Sequence, residues 1–185
     1  MVAGFLISAV CVASLFLFSG TKGGRIGIAL QITARWSFLL FWLAYCGGAI
    51  AKLFGARFAA LARGGRDFGL AFASAQLVHF GLVALLYLSA PKSNGGMVFF
   101  WVGIFCTYLL ALLSLPRLHD ALGPKVWRTV RTAAMEYIAL VFAADFILLP
   151  LQANGVGKYP LTYLPFVLLL IGGVVLRATA NVRAQ

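Results

Sequence analysis

Residues 68–88 form an apolar run of membrane length with a single histidine, His79, inside it. At ~1.5 Å per residue, a helix of that length crosses a hydrocarbon layer ~30 Å thick. Inside such a layer every backbone N–H and C=O must be satisfied by the protein itself, which leaves helices and closed barrels as the only spanning structures. Further long apolar runs, in place of the short alternating segments of a barrel, select helices. With 63% hydrophobic and only 10% charged residues, and a mean hydropathy of +0.99, the chain departs far from the ~25% charge of soluble domains. The expectation is an all-α integral membrane protein, a single six-helix transmembrane bundle.

The expected helices cover about 2–18, 28–51, 68–88, 97–115, 132–152 and 160–176. The first run has no Lys or Arg before it and exceeds the length of a signal-peptide core, so it reads as helix one. Short breaker-rich turns separate helices one and two, three and four, and five and six; basic loops at 52–67 and 117–131 and a polar tail at 177–185 make up the rest. Lys and Arg number ten on the side of the two basic loops and the tail, against four on the other side. By the positive-inside rule both termini face the cytoplasm. The same distribution argues against a nucleic-acid partner despite a net charge of +11, because the cations fall between apolar runs rather than along one face. The lipid bilayer is the expected surrounding, in a bacterial inner membrane. The loops are too short for a nucleotide or flavin domain. Cys11, Cys46 and Cys106 lie far apart within apolar segments, without metal-ligand spacing, and read as packing residues.

Ionisable residues inside the hydrocarbon layer are costly and mark functional sites. Arg35 sits seven residues into helix two, ~10 Å below the outer surface, and Asp145 on helix five lies at about that depth. His79 is only ~6 Å deeper. Arg35, Asp145 and His79 are therefore expected as one polar cluster, with an Arg35–Asp145 pair, since each charge alone is expensive in lipid. Glu136 precedes Asp145 by nine residues and points to the opposite side of its helix at ~100° per residue. It reads as structural, within reach of Arg128 or Arg131. His119 falls in a loop and reads as solvated. Gly47-Gly48 and Gly172-Gly173 permit close helix approach.

The order of several short motifs resembles the ferric reductase-like transmembrane domain family. The likeness is greatest to its haem-binding membrane subunits of methionine-sulfoxide reductase systems. Thr33-Ala34-Arg35-Trp36 is similar to that family's Thr-Gly-Arg-Trp. Arg66-Asp67-Phe68-Gly69-Leu70 followed by His79 resembles the start and the haem histidine of helix three. Leu122-Gly123-Pro124-Lys125-Val126-Trp127 resembles the Leu-Gly-x-x-Trp before helix five. The likeness covers about 24–151. It implies haem held between helices three and five by imidazoles from both, with electrons crossing the membrane, Arg35 pairing a propionate, and a flavoprotein donor or periplasmic reductase as partner. Histidines 13 or 14 residues apart on one helix lie ~20 Å apart on nearly one face, so two such helices can hold a haem in each leaflet.

The chain departs from that pattern on helix five. The family histidine four residues after Trp127 is replaced by Arg131, and the next falls on Ala144, beside Asp145. The inner ligand of helix three falls on Gly65 or Arg66. Bis-histidine ligation within one chain is thereby excluded. Three readings are compatible with these residues. One is an electron-transfer component with a single haem on His79, alone or with a non-histidine ligand. Another is a haem-less structural or regulatory subunit in which Arg35, Asp145 and His79 satisfy one another. The third is a small-solute or proton transporter that uses the same cluster.

Overall fold

The computed structural model describes residues 2–18, 22–89, 97–115, 117–118, 122–154 and 160–183. All regular structure among them is helical. The long elements are α1 (Val2–Phe18), α2 (Lys22–Phe54), α4 (Gly65–Ser89), α5 (Met97–Leu113), α6 (Pro124–Ala143) and α8 (Leu164–Val182). A short α3 (Ala59–Arg63) follows a 3₁₀ turn at Ala56–Phe58, and α6 runs through a π-helical segment, Ala144–Leu148, into α7 (Leu149–Asn154). Four stretches are long and apolar enough to cross a membrane, namely Ile26–Phe54, Gly65–Leu86, Pro124–Ala153 and Leu161–Val182; the apolar helix Val98–Leu113 is shorter.

The helices that outrun their sequence-based bounds do so mainly where polar residues continue them, whereas α5 stops at Leu113 and α8 starts only at Leu164, after a 3₁₀ turn at Leu161–Tyr163. Helix α2 begins at Lys22 rather than 28, and α6 begins at Pro124 rather than 132. The tail expected from residue 177 is helical to Val182, and the 52–67 loop contains α3. The apolar run marks only the part of a helix that lies in lipid. Lys and Arg stems extend the helix beyond it while their charged heads reach the interface. For α6 the start is set by chemistry: Gly123 adopts φ 70°, and Pro124 occupies the first turn, where a missing N–H costs nothing. His119, Asp120 and the turns at 90–96 and 155–159 lie outside the described residues.

Helix α2 is the centre of the bundle, packing against α1, α3, α4 and α8, while α5 packs mainly on α6. Gly47 and Gly173 make two of these approaches possible. A Cβ on Gly47 would stand 2.8 Å from the Leu61 carbonyl oxygen of α3, and one on Gly173 would stand 2.8 Å from Cys46 Sγ. Beside Gly173, the Trp42 indole N–H donates to the Leu169 carbonyl at 2.7 Å, tying α2 to α8. Cys46 is buried in this contact and, like Cys106, is a free thiol; the side chain of Cys11 lies outside the described residues.

The core is aromatic. Phe38 stands edge-on to Phe142 and Phe146, each at 5.1 Å between centroids. Phe41 of α2 lies 5.4 Å from both Phe72 of α4 and Phe142 of α6. Rings in this range and orientation attract through their quadrupoles, adding about 0.5–1.5 kcal/mol per pair beyond area burial. In lipid, where apolar burial alone gives no drive for helices to associate, such packing and the interhelical hydrogen bonds hold the bundle together.

Candidate functional site

His79 is held in place by Thr33, one of the motif residues on α2. Thr33 is 1% exposed, and its Oγ1 lies 2.8 Å from the Ala29 carbonyl and 2.9 Å from His79 Nδ1. The hydroxyl has one proton. Donating it to Ala29 makes His79 Nδ1–H the donor to Thr33 and leaves Nε2 with the lone pair. In the sequence Thr33 is only one letter of the Thr-Ala-Arg-Trp motif, yet it orients the histidine.

His79 shares a cavity of about 70 Å³ with Gln76, Thr107 and Asp145, between α4, α5 and α6. Gln76 precedes His79 by three residues and so lies on the same helix face. It is 7% exposed, and its Oε1 has no hydrogen-bond partner among the described residues. An unpaired amide oxygen at this depth costs about 1–3 kcal/mol if dry, so the cavity is suited to ordered water. At ~30 Å³ each it has room for about two molecules.

Asp145 reaches this cavity from the π-helical segment Ala144–Leu148. Pro150, two residues beyond the segment, has no N–H to donate, and in an α-helix its ring would crowd the carbonyl four residues earlier. Widening to π geometry relieves that conflict, and such segments recur at functional positions in helices.

Arg35 does not line this cavity, although its charge is near enough to act on the Asp145 carboxyl. Its Nη2 donates to Thr162 Oγ1 at 3.2 Å, and the guanidinium carbon stands 5.0 Å from the Tyr163 ring centre and 5.5 Å from that of Phe166. Among the described residues it forms no ion pair with Asp145. The structure thus brings His79 and Asp145 together and turns Arg35 toward the start of α8, where the two aromatic faces attract its charge.

Glu136 does point away from Asp145, as nine residues of helix require, but its partners are neither Arg128 nor Arg131. Tyr45 O–H donates to Glu136 Oε2 at 2.7 Å, and Arg177 Nη2 lies 2.8 Å from Oε1. Arg177 Nη1 donates to the Tyr45 carbonyl at 3.2 Å, and its guanidinium carbon stands 4.1 Å from the Tyr45 ring centre. This triad joins α2, α6 and α8. Arg177 falls in the stretch expected as a polar tail, which hides the pairing in the sequence.

The fit of haem can be judged from the space and donors beside His79. Pockets for ligands of drug size, and a porphyrin is at least that, span roughly 300–1,000 Å³, far above the cavity here. Between α4 and α6 the Phe72 and Phe142 rings stand 6.1 Å apart, and both line this cavity and narrow it. The cavity offers one imidazole, facing an amide and a carboxylate. These residues do not fit haem as they stand. Comparison with protein-family models, curated proteins and solved structures finds no match to this chain.

Proposed function

We propose that the chain is a haem-free membrane subunit on a ferric reductase-like bundle, a structural or regulatory component whose redox cofactors reside in partners. In this reading all six long helices cross a bacterial inner membrane, with both termini and the basic loops in the cytoplasm. The observation that carries it is the small cavity between α4 and α6, lined by Phe72 and Phe142, in which only about 70 Å³ is open beside His79. The retained polar residues then act through water: Gln76, His79 and Asp145 bind α4 to α6 across a small hydrated cavity. A flavoprotein or a periplasmic reductase is the partner class in keeping with the motifs of α2, α4 and α6.

One observation favours a second reading, an electron-transfer component with haem on His79. Ligand histidines commonly donate their second ring nitrogen to a neighbouring oxygen, which fixes the ring. The Thr33–His79 contact at 2.9 Å has that form. Haem would supply one-electron transfer at this depth if bound. The visible spectrum of protein expressed with haem supplied separates the two. The haem-free reading expects no Soret band, and a stoichiometric band that His79→Ala abolishes would replace it with the second.

A further inference from the structure

The basic end of the bundle contains two cavities that share a wall. One, about 260 Å³, has Phe41, Phe72 and Ile138 among its lining and Arg63, Arg66 and Arg131 as its cations. The other, about 470 Å³, is lined by Lys52, Arg128, Arg131 and Arg177. Ala44, Trp127, Arg131 and Met135 line both. Neither lining includes an Asp or Glu among the described residues. Of the six cations, only Arg177 has an ion-pair partner among the described residues, Glu136.

The positive-inside rule accounts for cations in loops, but not for their convergence on two adjoining open cavities at one end of the bundle, where Arg177 is half-buried and Lys52, Arg63, Arg66, Arg128 and Arg131 are exposed. Arg131 lies two turns into α6 and is exposed, with its guanidinium extended toward α4. A Cβ on Gly65 of α4 would stand 3.9 Å from its Nη2, so the guanidinium occupies the gap between the two helices. Like charges gathered around a shared space repel one another unless an anion sits among them. Arginine forks match phosphate oxygens in pairs, and basic pockets between helices at a cytoplasmic membrane surface suit anionic headgroups.

We infer that this end binds the headgroup of a phospholipid carrying two phosphates, one in each cavity, with Arg131 between them contacting both. The cations on either side of Arg131 exceed what one phosphate diester neutralises. The apolar lining of the smaller cavity gives the first methylenes of an acyl chain a place to lie. A free phosphate would use the cations but not that apolar lining. The inference holds whichever reading of His79 stands.

Binding is measured on the full chain in neutral detergent by native mass spectrometry and by the shift in thermal unfolding. The probes are cardiolipin, phosphatidylglycerol at matched total phosphate, phosphatidylcholine and inorganic phosphate. Cardiolipin should bind more tightly than matched phosphatidylglycerol, phosphatidylcholine should bind far more weakly, and inorganic phosphate should give no shift. Arg131→Gln should weaken cardiolipin binding about fivefold or more, from ~1 kcal/mol per cation at a membrane surface, and erase the preference over phosphatidylglycerol. Arg63→Gln and Arg128→Gln, one on each cavity, should each weaken it about as much, and they decide the matter if Arg131→Gln does not fold. Arg183→Gln removes an exposed charge at the same end that lines neither cavity, and should leave the preference intact. Equal binding of the two anionic lipids, equal loss in Arg183→Gln, or tight binding of inorganic phosphate would each overturn the inference.

Discussion

Replacing Arg177 by Met tests whether the Tyr45–Glu136–Arg177 triad closes the basic end of the bundle. The change removes the 2.8 Å ion pair to Glu136, the 3.2 Å bond to the Tyr45 carbonyl and the 4.1 Å contact over the Tyr45 ring, while keeping an apolar stem. Hydrogen bonds to charged groups contribute ~1.5–3 kcal/mol when shielded, and a cation over an aromatic face ~0.5–2 kcal/mol. The Glu136 side chain is 48% exposed, which draws the ion-pair share toward the ~1 kcal/mol ceiling of exposed pairs. We therefore expect Arg177→Met to cost ~2–3 kcal/mol and Glu136→Gln, which keeps an acceptor for Tyr45, ~1 kcal/mol. The double variant should lose about 1 kcal/mol less than the two singles together. Reversible unfolding in mixed micelles, followed by circular dichroism, gives all three values. Additivity within ~0.3 kcal/mol would refute the ion pair as a stabilising contact.

Thr33→Val keeps the shape but strands His79 Nδ1, and should destabilise by ~1–3 kcal/mol in the same assay, whereas Thr33→Ser should lose less than half of that. Gly173→Ala places a methyl 2.8 Å from Cys46 Sγ and 2.9 Å from Trp42 Nε1. It should cost ~1–3 kcal/mol by overpacking and disturb the Trp42 emission, whereas Gly172→Ala, with open space at its Cβ, should be near neutral.

Depth was legible in the sequence and azimuth was not. Counting residues from a helix end placed His79 and Asp145 at compatible levels, and the structure lets them line one cavity. The same count placed Arg35 at that level, but its direction depended on what α8 presented. Thr162, Tyr163 and Phe166 supply an acceptor and two aromatic faces that no spacing rule on α2 could anticipate. Gln76 carries no motif, being a lone glutamine in an apolar run, and its three-residue spacing from His79 is the one signal of its place in the cavity. Helix ends were misjudged wherever Lys and Arg continue a helix past the lipid, at Lys22, at Lys125 and at Arg177. The Gly123-Pro124 pair was the signal for the true start of α6. The π-helical segment had a signal as well, in Pro150, but its consequence for the placement of Asp145 needed the surrounding helices.

The most direct test of the haem-free bundle is the haem-to-protein ratio of the purified chain, measured as the pyridine haemochrome after expression with haem precursor supplied. A ratio near zero, unchanged in His79→Ala and accompanied by a folded, monodisperse protein, is the expected result. A ratio near one that falls to zero in His79→Ala would contradict the account, because the cavity of about 70 Å³ beside His79 would then have to open to admit a porphyrin.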